Sequence, residues 1–370
     1  MAAILTCILG LFSLISQLQG RPNQLYERFI LDALFPQAYN SRIDTLQSRD
    51  NNEPVFDKSW SAIDRKIGQV GGVAVDSENQ PYVFHRGSRV WDQNSFNWDN
   101  TFAQRSPIKE NVILKIDKDN GRVLKEFGAG RFYMPHGLTV DNGGNIWVTD
   151  VGSHQVMKIK KEDGTPLMTL GEKLVPGNDN KHFCKPTDVA VASNGDFFVS
   201  DGYCNGRIIK FSPEGQILTQ WGSMERGHSS RNGFFIPHSL ALVESMDLIC
   251  VADREHGRAG LNNSSDTGSF VHSFHDQRFG EQIFAVAYGK DPQFGDVLYA
   301  VNGDHGQTVP RGFTLSLDTG RILNEWGPTG SDVPDFGQPH DVAVSPDGAN
   351  IYVGDIVKGH LPLTRFNRST

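Results

Sequence analysis

The chain has 370 residues, 38% of them hydrophobic, enough to bury a substantial core at this length. A formal net charge of −8 and a pI near 5.8 argue against nucleic-acid binding, which needs a basic stripe, and no run of like charges marks an interaction tail. Glycine is abundant, 39 residues, which calls for many tight turns.

The first twenty residues stand apart. Ala3 to Ile15 is an uncharged apolar stretch followed by Ser-Gln-Leu-Gln-Gly20. It is too short to span a bilayer and reads as a signal peptide, residues 1–20, cleaved near Gly20. No Lys or Arg precedes the apolar run, so a signal anchor stays open as the alternative. Residues 21–64 are polar, mixed and non-repetitive and read as an N-terminal extension. No other segment has 18 apolar residues, so the mature chain is expected to lack a membrane anchor and to reside in the secretory-pathway lumen or outside the cell.

A repeat occupies residues 65–366. Its clearest copies are Met134-Pro-His-Gly-Leu-Thr-Val-Asp, Lys185-Pro-Thr-Asp-Val-Ala-Val, Ile236-Pro-His-Ser-Leu-Ala-Leu and Gln338-Pro-His-Asp-Val-Ala-Val. Each leads through a turn into an apolar strand that ends in Asp150, Asp201, Asp253 or Asp355. Weaker copies begin at Gly71 and Phe284 and end at His85 and Asn302. Third strands follow, as at Gln155-Val-Met-Lys-Ile and Arg207-Ile-Ile-Lys-Phe, and fourth strands run into a glycine, as at Trp221-Gly222 and Trp326-Gly327. Four short strands per unit, with a period of roughly 40 to 50 residues, is the pattern of a propeller blade. Six copies predict an all-β, six-bladed β-propeller in one closed domain, with 367–370 as a C-terminal tail. A β-sandwich with chance similarity between strands is the alternative.

The histidines give the repeat a chemistry. His136, His238 and His340 occupy the same slot and lie 102 residues apart, with Thr187 in that slot halfway between the first two. Alternate members of a six-membered ring face its axis from directions about 120° apart, so three imidazoles would meet there as an open metal site of the kind that holds catalytic zinc. His154, His182 and His228 fall outside the register and read as ordinary surface or core residues. Just past the strand ends lie Arg86, Tyr203 and Arg254, at the same mouth of the ring. Two guanidiniums and a phenol beside a Lewis acid suit an anionic substrate. Cys184 and Cys204 fall at the same end of one blade and are expected to pair, whereas Cys250 lies inside an apolar strand and reads as a buried free thiol. Sequons at Asn262, Asn263 and Asn367 are compatible with glycosylation.

These residues bring the chain close to a known family. Phe84-His-Arg-Gly-Ser-Arg-Val-Trp-Asp-Gln-Asn-Ser-Phe96, Pro135-His-Gly-Leu138, His182-Phe-Cys-Lys-Pro-Thr-Asp188, Val199-Ser-Asp-Gly-Tyr-Cys204, Pro237-His-Ser-Leu-Ala-Leu242, Val251-Ala-Asp-Arg-Glu255 and Pro339-His-Asp341 resemble the motifs of the peptidyl-α-hydroxyglycine α-amidating lyases, six-bladed propellers with NHL-type repeats. The resemblance implies cleavage of a C-terminal α-hydroxyglycine to an amidated peptide and glyoxylate. It implies zinc on His136, His238 and His340, with Tyr203 as general base. Arg86 and Arg254 would hold the glycine carboxylate and keep Tyr203 acidic. It also implies a structural calcium held by the Asp341 carboxylate and the carbonyls of Val73 and Leu138, oxygen donors that suit Ca²⁺. The signal and propeller account for the whole chain, so a separate copper monooxygenase is expected to supply the hydroxyglycine, and the lyase is expected to be a monomer.

Three departures from the family pattern stand out. Cys250 lacks its usual partner, Gln338 replaces the usual Met before Pro-His-Asp, and Pro362 falls inside the expected closing strand, where proline cannot donate to a ladder. Two other functions remain open at this level. One is a non-catalytic secreted propeller that binds peptides or proteins. The other is a calcium-dependent esterase or lactonase on a similar ring, against which the three histidines argue.

Overall fold

The computed structural model describes residues 53–60, 66–227, 231–265, 267–303, 308–328 and 335–368. The expected signal segment lies outside the described residues. No helix among the described residues is long and apolar enough to cross a membrane.

The described residues form six antiparallel sheets of four strands each, five of them consecutive meanders. The chain is a six-bladed β-propeller, as the repeat predicts. The innermost strands are Val70–Val75, Pro135–Val140, Asp188–Val191, Pro237–Val243, Ile283–Asp291 and Pro339–Val344. The second strands are almost wholly buried and the innermost ones mostly so, because each is covered by neighbouring blades. The outermost strands alternate instead: in Ile217–Trp221 every second residue is exposed. Apolar layers between blades make the core, as where Trp147, Val156, Phe197 and Phe211 pack together.

The aspartates that end the second strands are structural. Asp150 accepts from Met134 N at 2.9 Å and Tyr133 N at 2.5 Å. Asp201 accepts from Cys184 N, Asp253 from Phe235 N, and Asp355 from Gly337 N and Gln338 N. Each carboxylate therefore pins the connection that leads into its blade's innermost strand, satisfying amides that no ladder reaches. This places the start of four of the six innermost strands, among them the three that carry the axial histidines.

Ring closure differs from the sequence expectation. The fourth strand of the last blade is Val55–Phe56, from the stretch expected to be an extension, and it pairs with Leu363–Asn367. The closing strand starts just after Pro362, whose carbonyl accepts from Asp355 N at 3.0 Å, so the proline is never asked to donate. The expected boundary at 367 also moves outward: Asn367 is in the strand, and the buried Arg368 bonds Asp291. Asp57 locks this clasp. It accepts from Arg365 and from Asn367 Nδ2, and its other oxygen accepts from Ser59 and Trp60 N. The Asn367 sequon amide is thus engaged in the clasp, while that of Asn262 is buried and donates to Gly268 O, out of reach of a glycan in the folded chain.

Burial alone would raise the Asp57 carboxyl, but the bonds from Arg365, Ser59 and Asn367 outweigh it and hold it well below the usual carboxylate range. A group depressed on folding contributes stability above its unfolded value, about 3.9, and loses it as pH falls toward the folded value. Asp57→Ala is expected to cost about 1–3 kcal/mol at neutral pH by leaving Arg365 short of a partner. That difference should shrink as pH drops below about 4. Denaturant midpoints at two pH values check this; an equal loss at both would remove the clasp's ionic part.

Candidate metal centre and substrate mouth

The histidine slot is the second residue of three innermost strands, and closure turns all three side chains to the axis. His136, His238 and His340 are buried, with ring centroids 4.6, 4.7 and 4.7 Å apart, a near-equilateral triangle. Each Nδ1 meets a backbone carbonyl of the following blade: Thr187 O at 2.8 Å, Phe284 O at 2.7 Å and Gly71 O at 2.8 Å. A carbonyl only accepts, so Nδ1 carries the proton and Nε2 is bare. Burial, and after it the neighbouring basic groups (Arg86 first for His136, the other axial histidines first for His238, and His136 first for His340), push all three imidazoles well below their usual pKa, so they are neutral. Three bare nitrogens within 4.8 Å of one another form a donor set that can hold a metal ion, and neutral imidazoles with an open side fit zinc. Gly71 has no side chain because the backbone of the next blade is there: a Cβ would lie 2.7 Å from Pro135 O.

Tyr203 closes the open side. Its hydroxyl is 3.0 Å from His136 Nε2 and 3.2 Å from His238 Nε2, and it accepts from Arg254 Nη1 at 3.3 Å. The disulfide Cys184–Cys204, with Cα atoms 5.5 Å apart, anchors the turn that carries it. Arg254 is itself held by Glu255, at 2.8 Å from Nε and 2.7 Å from Nη2, and Glu255 accepts from Gln282 Nε2. Arg86 is buried differently. Its Nε donates to Pro135 O at 3.1 Å and its Nη1 to Gln69 Oε1 at 2.9 Å, while Nη2 has no partner. Burial draws the Arg86 guanidinium down to about 10, still protonated at neutral pH.

One expectation needs correction. Both guanidiniums pull the Tyr203 phenol down, but burial outweighs them and its pKa is raised above the usual value. The two arginines alone do not bring Tyr203 below the usual phenol range.

One residue further along each strand lies a second axial layer. Asp341 accepts from Val73 N at 2.8 Å and Val342 N at 2.9 Å, and Asp188, three blades away, accepts from Leu240 N and Val189 N at 2.8 Å. Burial raises both carboxyls, Asp188 to about 7, and Asp188 raises Asp341 further by repulsion. Val73 and Leu138 flank this layer, and their strands approach closely enough that a Cβ on Gly72 would lie 2.7 Å from Leu138 N. Asp188 could have been found from its sequence slot, since Pro-Thr-Asp and Pro-His-Asp align. Glu255 beside Arg254, and Trp91 within the quoted motif, also went unassigned. Gln338 packs its amide near Phe284 and Gly303 at the site's edge. Cys250 is buried, and its thiol is pushed up by burial. His154 is buried, and His182 is bonded to Asp179 and Glu172 at the surface.

This is a propeller with three histidines clustered on its axis, and comparison with known proteins supports the propeller fold. The NHL repeat model matches residues 132–159 and 183–211. Virginiamycin B lyase from Staphylococcus aureus shares the fold, with a TM-score of 0.50 at 14% identity over 83% of this chain and 97% of that one. Peptidyl-alpha-hydroxyglycine alpha-amidating lyase 2 of Drosophila melanogaster is 40% identical over 83% of this chain and 73% of its own length. The probable lyase pgal-1 of Caenorhabditis elegans is 41% identical over 76% and 82%. Peptidyl-glycine alpha-amidating monooxygenase B of Xenopus laevis is 46% identical over 81% of this chain. The chain spans about a third of that longer relative, 34%. The chain belongs to the peptidyl-α-hydroxyglycine α-amidating lyase family.

Purified protein is expected to carry about one zinc per chain, and His136→Ala, His238→Ala and His340→Ala each to lose it. Metal analysis of folded variants checks this. Full zinc in any one of them would remove that histidine from the centre.

Proposed function

We propose that this chain is a zinc-dependent lyase that converts a C-terminal peptidyl-α-hydroxyglycine to the α-amidated peptide and glyoxylate, the second step of peptide amidation. The observation that carries the reading is the cluster of three bare Nε2 atoms, two of them (His136 and His238) within hydrogen-bond reach of Tyr203 Oη, with Arg254 and Arg86 beside it. His136, His238 and His340 would hold the zinc, which when bound supplies a Lewis acid and a positive charge next to the phenol.

The remaining roles follow from the side chains. Arg86 has only neutral hydrogen-bond partners and one unpartnered nitrogen, so its charge is available to the substrate carboxylate. Arg254 shares its charge with Glu255 and directs Nη1 at the phenol oxygen, where it favours the deprotonated form. Tyr203 Oη takes the proton of the substrate hydroxyl. That O–H electron pair becomes the carbonyl bond of glyoxylate as the carbon–nitrogen bond breaks, and the proton is returned to the departing amide nitrogen. No water is consumed, so the reaction is an elimination rather than a hydrolysis. In the second layer, Asp341 with the carbonyls of Val73 and Leu138 would hold calcium. Two buried carboxylates at one level, Asp188 and Asp341, support a cation there. A separate copper monooxygenase would supply the hydroxyglycine, and both would work in the secretory lumen.

The direct test is release of glyoxylate and amide from a synthetic α-hydroxyglycine peptide, abolished by a chelator and restored by zinc. Absence of turnover by folded, zinc-loaded protein would overturn the reading. Tyr203→Phe should lower kcat by about 10²–10⁴-fold with little change in substrate affinity. Arg86→Ala should damage both kcat and KM, a total of roughly 2–5 kcal/mol, since a desolvated charge partner is lost. If Tyr203→Phe turns over at the original rate, another group is the base.

A further inference from the structure

The contacts of Gln69 join the site to three segments of the chain and have no role in the reaction so far. Gln69 directly precedes the first innermost strand. Its Oε1 accepts from Arg86 Nη1 at 2.9 Å and from Trp91 N at 3.0 Å. Its Nε2 donates to Ile356 O, beside Asp355 in the last blade, at 3.0 Å, and its own carbonyl accepts from Arg86 N at 2.8 Å. Guanidinium and backbone N–H groups only donate, and a carbonyl only accepts, so the orientation of the carboxamide is fixed by its partners. A carboxylate of the same length would bond the two donors but repel the Ile356 carbonyl. An apolar side chain would bond none of them.

Trp91 explains why this matters. Its ring packs 5.0 Å from the Tyr203 ring and 6.3 Å from His136, and the Arg86 guanidinium lies 5.1 Å from its centroid. The loop that carries it, between Pro81–His85 and Ile113–Ile116, has few ladder contacts of its own. Gln69 Oε1 is the polar anchor at the Trp91 amide, and the same oxygen holds Arg86.

We propose that Gln69 is a positioning residue of the lyase site: as a neutral acceptor it holds Arg86 without cancelling its charge, and through the Trp91 amide it seats the indole against Tyr203. This rests on the lyase reading above.

Two substitutions separate the parts. Gln69→Glu keeps both bonds to Oε1 but sets a carboxylate against Arg86. It should raise KM for the hydroxyglycine peptide and weaken binding of glycolate, a non-reacting hydroxy acid, by at least about tenfold, since like charges now meet at the mouth. Gln69→Leu leaves Arg86 charged but unanchored and should lower kcat more than it weakens glycolate. Zinc content should match the original in both. A purely structural role would instead lower thermal stability in both variants while glycolate affinity, measured by calorimetry, stayed the same, and that result overturns the proposal. If the original protein binds glycolate but releases no glyoxylate, the lyase reading fails while the glycolate comparison still decides Gln69. If it turns over and Gln69→Glu leaves both KM and glycolate affinity unchanged, the lyase reading stands and the role of Gln69 falls. Should Gln69→Leu fail to fold, Gln69→Glu alone decides the matter.

Discussion

Everything at the centre depends on a bond from each axial histidine to the blade after it. The Nδ1–H of His136, His238 and His340 is spent on Thr187, Phe284 and Gly71, and that leaves Nε2 bare and aimed inward. The geometry is therefore a property of neighbouring blades, not of any one strand. The third bond crosses the seam between the last blade and the first. A ring that opened at the seam would carry His340 away from the Gly71 carbonyl and break the triangle. The clasp of Val55–Phe56 on Leu363–Asn367, locked by Asp57 and Arg365, is thus linked to the metal centre through the sheet it completes. Stability of closure and definition of the site are the same constraint seen from the rim and from the axis.

Electrostatics at the mouth divide along similarly simple lines. Arg254 faces a carboxylate, Glu255, whereas Arg86 faces only an amide and a carbonyl. A guanidinium with a carboxylate partner is held in place, but its field is partly cancelled; one with neutral partners keeps its field and pays in desolvation. Tyr203 sits between them, with burial raising its phenol more than the two charges lower it. A cation at the three nitrogens would act against that burial, lowering the phenol's pKa and favouring its deprotonated form.

The sequence was most legible where the repeat was regular. Equal spacing placed three histidines on the axis, and matching slots placed Arg86, Tyr203 and Arg254 at one mouth, because a closed ring converts register into position. Reading failed where the pattern has no second copy. Val55–Phe56 is two residues long and carries no period of its own, so it passed for an extension. The loop with Trp91 is an insertion peculiar to the first blade, and nothing in the repeat shows which side chain turns inward. Gln69 precedes a weak copy whose phrase lacks Pro-His. Pro362 looked like a breaker because strand and connection cannot be told apart to one residue; shifted by one, it is harmless. The sign of the Tyr203 shift was out of reach, since burial is a tertiary quantity and the two arginines argued the other way.

The two axial layers differ in the donor atoms they present. Adjacent residues of a strand are about 3.3 Å apart along it. A single step along the innermost strands exchanges the donors from imidazole nitrogens to carboxylate and backbone oxygens. Imidazole nitrogens suit zinc and hard oxygen donors suit calcium, so by donor chemistry the two layers would favour different ions. The slots between the donors are small: Gly72, Gly137, Ser239 and Ala285 share the layer of Asp188 and Asp341. Small residues let the blades approach closely there, as the backbone contacts of Gly71 and Gly72 show. Close approach in turn brings carbonyls and amides of neighbouring blades within reach of each donor side chain. Small residues at these slots and histidine or aspartate at the others are therefore two halves of one arrangement, the first making the backbone available and the second using it.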